Sequence, residues 1–416
     1  MKFIMVSRFG EGLNLLYQIA CEGNDCEFYL TEGGKDDIWK GLLDRTDMLP
    51  LEKDATYIFD MSGNGVRADN LIHRGYNVVC ASSFADKIEF DRKEGLDLMK
   101  LAGIQIPWSQ EFKNAREAAK FFESNSDKRF VFKPSGKNLP CSLSHVPEEG
   151  EDVSGYVEYV EKTYGKEIES IEVQEFIKGV AVSTEGWFNG YHFIRPFNHT
   201  IEKKKFLNDD LGPATGCVGN VVWTCEEDEI CQQLRKLEPY LKGKYIGPID
   251  LNCIINESGI YGLEFTPRFG YDALPALLPM FHSEVGKFFS DLSRNQFDGE
   301  MPLDEIFSSA LRVVIPPYPE DDKDVKGGLP INGIDEGPNK YYFYEVAEEE
   351  GKLVHSTGYG LLLCTLGQSE DLDESLNECL NLADDLKVPN KMYRTDLTKI
   401  IAREYEEFKE LICLKK

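Results

Sequence analysis

Residues 250–272 place Asp250, Asn252, Glu264 and Arg268 on what reads as two β-strands joined by a turn at residues 256–259, with Asp272 just beyond. Carboxylate and amide oxygens on paired strands, followed by a guanidinium, suit a Mg²⁺ ion holding a polyphosphate. A lone carboxylate beside an arginine is ordinarily a surface ion pair, so the reading depends on what else the chain supplies.

Three further segments supply it. Val131-Phe-Lys133-Pro-Ser-Gly136-Lys137 delivers a lysine from a strand into a loop that can fold over a triphosphate, although a plain β-turn fits the same residues. Arg92, between Asp91 and Lys93, opens a helix whose free N–H groups would share an anion with it; the alternative is an exposed charge pair. Gln174, Glu175, Phe176 and Ile177 end a strand before Gly179, where backbone groups can pair with an adenine edge, or simply form a core strand.

These groups need a scaffold. Apolar runs at residues 3–6, 26–30, 56–61 and 76–81 alternate with turns and a helix at 13–20, the pattern of a Rossmann-like α/β unit over residues 1–88. A helix at 91–103 leads to Pro107, strands are expected at 129–133 and 170–177, and a helix at 157–164. A lysine-rich segment at 202–206 precedes a glycine-containing loop at 211–220, and one helical run is expected at 274–292. Strands near 311–315, 341–346 and 361–365 with helices near 372–386 and 397–411 form the last unit.

A chain of 416 residues predicts two to four folding units. Its net charge of −27 argues against a nucleic-acid partner, because phosphate contacts need a positive surface. Eleven cysteines without CxxC pairs or Cys/His clusters signal neither zinc nor disulfides. Reduced thiols, an N-terminus that turns too early for a signal peptide, and no long apolar run predict a cytoplasmic protein without a membrane partner. Small-molecule substrates and a monomer or dimer are expected.

In order along nearly the whole chain, these segments resemble the ATP-grasp superfamily and, within it, the glycinamide ribonucleotide synthetase family. Gly212-Pro213-Ala-Thr215-Gly216-Cys-Val-Gly219 is similar to that family's Gly-Pro-Asn-Thr-Gly-Gly-Met-Gly loop, and Glu264-Phe-Thr-Pro-Arg268-Phe-Gly270 to its Glu-Phe-Asn-Cys-Arg-Phe-Gly. Segments at 325–328, 354–358 and 392–396 match its C-terminal unit. The resemblance implies an α/β (α+β) ATP-grasp fold: a Rossmann-like pre-ATP-grasp domain at 1–88, an ATP-grasp domain at 89–300 with a small nucleotide lobe at about 108–182, and a mixed α/β C-terminal domain at 301–416. It implies an ATP- and Mg²⁺- (or Mn²⁺-) dependent ligase of purine biosynthesis, joining glycine to phosphoribosylamine through an acyl phosphate.

Carried over by position, Arg92, Lys133 and residues 174–177 would bind ATP, with Glu185 on the ribose. Glu264 with Asn252 or Asp250 would hold metal, and Arg268 would act in catalysis. Gly212, Pro213, Thr215, Gly216, Asp272, Arg8 and Gly10 would bind substrates. The departures cluster at the acceptor end. Ser7-Arg8-Phe-Gly10-Glu11-Gly12 replaces the family's Gly-Ser-Gly-Gly-Arg-Glu loop, Met61-Ser-Gly-Asn-Gly65 replaces Gly-Pro-Glu, Val180-Ala181 replaces a Glu pair, and Thr266 replaces a metal-binding asparagine. Two alternatives follow: a ligase that uses a different amine, and a non-catalytic nucleotide-binding protein.

Overall fold

The computed structural model describes the chain except residues 33–35, 137–142, 149, 271–272, 321–324, 335–337 and 415–416. Its N-terminal part is a parallel sheet of β1 (Lys2–Ser7), β2 (Asp25–Leu30), β3 (Asp44–Thr46), β4 (Thr56–Phe59) and β5 (Asn77–Val79) in the order β3-β2-β1-β4-β5. The central strands are buried on both faces, which is why Phe3 to Val6 read as an unbroken apolar run rather than an alternation. Helices α1 (Leu13–Cys21) and α2 (Gly65–His73) connect the strands. Two short helices, α3 (Ser83–Phe90) and α4 (Arg92–Leu101), lead onward, each started by a side-chain cap: Ser82 accepts from the Ala85 N–H and Asp91 from the Glu94 N–H.

The small lobe is an antiparallel sheet of β6 (Ser109–Phe112), β7 (Phe130–Gly136) and β8 (Ile168–Glu175), ordered β6-β8-β7 and backed by α5 (Ala115–Ser124) and α6 (Val153–Tyr164). Ala115, Ala118, Ala119 and Phe122 form the helical stripe of α5 that faces this sheet. The lobe has its own hydrophobic cluster, built with Phe130, Phe132, Val157, Val160 and Val173. A separately cored lobe can move as a unit.

The rest is dominated by one eight-stranded sheet. Its first strands are β9 (Val180–Phe188), β10 (Phe193–Leu207) and β11 (Leu211–Cys225), followed by α7 (Glu229–Arg235), α8 (Glu238–Leu241) and the hairpin β12 (Gly247–Asn256) and β13 (Gly259–Thr266). The helical run expected at 274–292 is interrupted: α9 (Ala273–Leu277) passes into a 3₁₀ turn at Leu278–Met280 before α10 (Val285–Ser293). Pro279, which has no N–H to donate, accounts for the break. Beyond it lie β14 (Phe307–Val314), β15 (Leu329–Pro330), β16 (Tyr341–Phe343), β17 (Val346–Glu349), β18 (Lys352–His355) and β19 (Leu361–Ser369), then α11 (Leu372–Asp385) and α12 (Leu397–Cys413).

The large sheet runs β13-β12-β9-β10-β11-β14-β19-β16, so it crosses residue 300 without interruption through the β11–β14 pairing. The C-terminal region extends this sheet and adds a small one, β15-β18-β17. The lysine-rich segment belongs to β10, and residues 211–220, expected as a loop, are the first part of β11. The cause is the partner strand: β10 and β11 are fifteen residues each and pair as a long ribbon with register shifts near Lys203 and Lys205. Among the described residues no helix is long and apolar enough to cross a membrane.

Candidate nucleotide and acceptor site

Side chains directly opposed on antiparallel strands share a face. The pairings of β13, β12, β9 and β10 therefore set two rows across the large sheet: Glu264, Asn252, Ser183, Thr200 and, beside it, Thr266, Asp250, Glu185, Asn198. Asp250, Asn252 and Glu264 thus lie on one face, as their spacing suggested. Glu202 and Lys204 continue that face along β10 and form an ion pair at 3.0 Å.

Four cations from different elements bear on Glu264. Its carboxylate is open to the cleft, yet protein crowds it. That enclosure pushes its pKa up, but Lys204, Lys133, Arg92 and Arg268 together hold it below the ordinary glutamate value. Lys133 comes from β7 in the small lobe and donates to Gln174 Oε1 at 2.8 Å; burial lowers its pKa, against the pull of Glu172 and Glu264. Lys204 is raised, chiefly by Glu202. Arg268 donates to Glu89 Oε1 at 3.1 Å and to the Phe269 carbonyl at 2.8 Å. Arg92 stands at the start of α4, and its Nη1 is buried with no hydrogen-bond partner. A groove of about 860 Å³ between α3–α4 and the small lobe has Arg92, Ser135 and Glu172 in its walls.

Behind Glu264 burial raises the acids above the ordinary carboxylate range. Burial, reinforced by Glu202, pushes Asp250 up to about 7, and its Oδ1 is buried without a partner. Burial and the neighbouring Asp250 push Glu185 up to about 8. Asn252 accepts from Ser183 at 2.8 Å and donates to Thr266 at 3.1 Å. An exposed carboxylate beside an orphaned buried carboxyl oxygen meets the hard-oxygen requirement of Mg²⁺ or Mn²⁺.

Other expected site residues fall differently. Glu185, expected at a ribose, is 5% exposed, accepts from Trp187 Nε1 at 3.0 Å and faces Asp250 from the middle of the sheet. At the end of β8 the Glu175 N–H is given to the Trp108 carbonyl and the Phe176 N–H to that of Arg129, so Gln174 to Ile177 present an edge already partly paired within the lobe. Gly212, Pro213, Thr215 and Gly216 lie on the β11 half of the ribbon, where Thr215 donates to the Lys204 carbonyl at 3.1 Å. Buried Arg394 anchors the ribbon's tip, donating to Asp210 at 2.8 Å and the Lys205 carbonyl at 2.9 Å and pairing with Asp396. Asp272 and Lys137 lie outside the described residues.

Arg8 and Gly10 sit in an N-terminal cup whose anion-binding groups are engaged by the chain itself. Arg8 is paired with Glu32 at 2.6 Å. The Gly10 N–H donates to Ser7 Oγ at 2.7 Å, and Ser7 donates to Asp60 at 2.5 Å. Gly12 donates to the same Asp60 oxygen at 2.9 Å, and a Cβ on Gly12 would stand 2.5 Å from that of Asp60, so glycine is required there. The N–H groups of Gly63 and Gly65 both reach Asp86, at 2.8 and 2.7 Å, while Ser62 bonds Glu89.

The residues missed in sequence are those brought in by pairing. Lys204 and Glu202 were legible in the alternation Asn198, Thr200, Glu202, Lys204. Asp86, Glu89 and Asp60 carried no local signal. A second group also contradicts the expectation of no Cys/His cluster: His199, Cys225, Asp228 and Cys231 place one ligand atom each within 4.8 Å of one another. The spacing of two cysteines around an aspartate was visible, but not the histidine across the ribbon.

Residues 91–272 match the family described as phosphoribosylglycinamide synthetase, ATP-grasp (A) domain. The chain is 22% identical over 348 residues to the trifunctional purine biosynthetic protein adenosine-3 of Gallus gallus, covering 79% of this chain and 34% of that protein. It is 28% identical over 242 residues to phosphoribosylamine-glycine ligase of Thermotoga maritima, covering 55% and 56%. These matches span about a third and just over half of the two relatives. The crystal structure of a Thermotoga maritima phosphoribosylamine-glycine ligase superposes with a TM-score of 0.71 at 18% identity over 95% of this chain and 100% of that one, which shows the ATP-grasp fold.

Proposed function

We propose, from the match of residues 91–272 to the ATP-grasp domain of the phosphoribosylglycinamide synthetase family, that the chain is an ATP-dependent carboxylate-amine ligase that forms an amide through an acyl phosphate. The observation that carries the reading is Glu264 on the large sheet, within the charge of Lys133 from the opposite lobe and of Lys204, Arg92 and Arg268. Lys133, Lys204 and Arg92 would neutralise the phosphates, and Glu264 with Asp250 or Asn252 would hold Mg²⁺, which supplies charge neutralisation at the transferred phosphoryl group. The edge at Gln174 to Ile177 would take the base. Arg268 would steady the acid while its carboxylate attacks the γ-phosphorus and ADP leaves; the amine then displaces phosphate. No side-chain nucleophile is needed, since positioning and fixed charge provide most of the acceleration. The setting would be cytoplasmic, in keeping with the ten free cysteines among the described residues.

Glycine is the acid that the relatives' names suggest, with phosphoribosylamine as amine in purine biosynthesis. The filled N-terminal cup favours a second reading for the amine alone: with Arg8 on Glu32 and the Gly63 and Gly65 N–H groups on Asp86, an acceptor without a phosphate fits this site better. The test is ADP release with a panel of amino acids and amines. Turnover with glycine and phosphoribosylamine at ordinary enzyme rates removes the altered amine; no ADP above the ATP-only background with any pair counts against a ligase.

A further inference from the structure

We propose that His199, Cys225, Asp228 and Cys231 form a structural zinc site on the face of the large sheet opposite the nucleotide cleft. His199 alternates along β10 with Asn198 and Thr200, which belong to the cleft face, so its ring points to the other side. There it meets Cys225 at the end of β11 and Asp228 and Cys231 at the start of α7, with the rings of Trp223 and Phe408 each 5.4 Å from the imidazole.

The geometry is that of separate thiols converging on one point. Cys225 Sγ and Cys231 Sγ are 3.6 Å apart. A disulfide needs about 2.05 Å, whereas two thiolates on one tetrahedral zinc, each about 2.3 Å from the metal, stand about 3.8 Å apart. The other two ligands are oriented by bonds outside the cluster. Asp228 spends Oδ1 on the Ile230 and Cys231 N–H groups at 2.9 and 3.0 Å, which caps α7 and leaves Oδ2 facing the histidine. His199 Nδ1 lies 2.8 Å from Thr184 Oγ1, the outer partner that fixes which ring nitrogen faces a metal. Nε2, 2.9 Å from Asp228 Oδ2, points into the cluster, where zinc would take the place of the proton shared by that pair.

Two sulfurs, an imidazole and a carboxylate are a soft, mixed set that selects zinc over Mg²⁺. With four protein ligands the site is closed, so its role is to pin α7 to β10 and β11 rather than to activate water. The inference does not depend on the ligase reading.

Full-length protein, stripped by dialysis against a chelator under reducing conditions, is titrated with Co²⁺ and then Zn²⁺. The expected result is a thiolate-to-cobalt charge-transfer absorption that saturates at one equivalent and is bleached by zinc. The oxygen ligands of the nucleotide cleft cannot produce it. Cys225→Ser and Cys231→Ser should each weaken the band, and Thr184→Val, which keeps all four ligands, should weaken zinc binding about 10–100-fold. Absence of the band in the unaltered protein with excess cobalt overturns the site. So does a band that survives in the double cysteine variant, or a zinc-treated protein in which Cys225 and Cys231 react with a thiol reagent as fast as without zinc.

Discussion

The nucleotide cleft and the N-terminal cup are both rich in groups that bind anions, yet they are finished differently. In the cleft, buried polar atoms are left without partners: Arg92 Nη1, Glu172 Oε1, Gln174 Nε2 and Asp250 Oδ1. In the cup, the donors of Arg8, Gly12, Gly63 and Gly65 are bound to carboxylates of the chain, and the orphaned Asp60 Oδ1 is a carboxyl oxygen rather than a donor that an anion would complete. An unpartnered buried polar group costs about 1–3 kcal/mol, so a cluster of them marks a place built for something else to complete. The contrast supports the proposed ATP chemistry and, within that proposal, an acceptor without a phosphate.

The largest expected effect breaks the cleft itself. Glu264→Ala removes the carboxylate on which four cations converge, and turnover should fall by about 10³-fold or more, with Mg²⁺-dependent binding of an ATP analogue lost in calorimetry. Unchanged metal-dependent binding would sink the placement of the site. Lys133→Met should follow with a loss of about 10²–10³-fold in kcat, as expected for one preorganised charge at a developing anion. Because Lys133 is fixed by Gln174, Gln174→Leu should reproduce part of that loss without touching phosphate directly.

A smaller effect sharpens the other side of the comparison. Asp86 occupies the N-terminal end of α2 as a phosphate would, so Asp86→Ala should free the Gly63 and Gly65 N–H groups and lower stability by about 1–3 kcal/mol. Inorganic phosphate should then raise the Tm of the variant and leave that of the unaltered protein in place. If the unaltered protein is stabilised as much, the cup is open and the contrast fails.

How much of this could be read without coordinates follows the range of the interactions. Asp250, Asn252 and Glu264 were legible because a hairpin is local and its two-residue period fixes the face. The Rossmann-like opening was legible for the same reason. Residues 211–220 were read as a loop because their structure depends on pairing with β10, whose Lys205 carbonyl is fixed from 189 residues away by Arg394. The Asp86 and Asp60 contacts join loops that sequence order keeps apart, and no composition rule announces that a carboxylate will fill an anion site. The cluster around His199 was not legible for the same reason: its partners arrive across the ribbon.

The last expected effect, comparable at most to that at Asp86, concerns Asp60, which keeps an unpartnered Oδ1 within the cup. Burial raises its pKa from 3.8 to about 6, although Ser7 and the Gly12 N–H oppose the shift. The folded chain therefore holds this proton more tightly than the unfolded chain does. The contribution is fully present below about pH 4 and is lost as pH rises through about 6, because the native state binds more protons across that window. At 1.36 kcal/mol for each tenfold, it amounts to about 3 kcal/mol at most. Asp60→Asn carries no titrating proton and can still accept from Ser7 and Gly12. Relative to the unaltered protein, its Tm should therefore improve between pH 4 and pH 7, a difference that cancels the titration of all other carboxylates. Parallel Tm curves would mean that Asp60 is ionised throughout, leaving the cup with a full negative charge at its floor and making it still less suited to a phosphate.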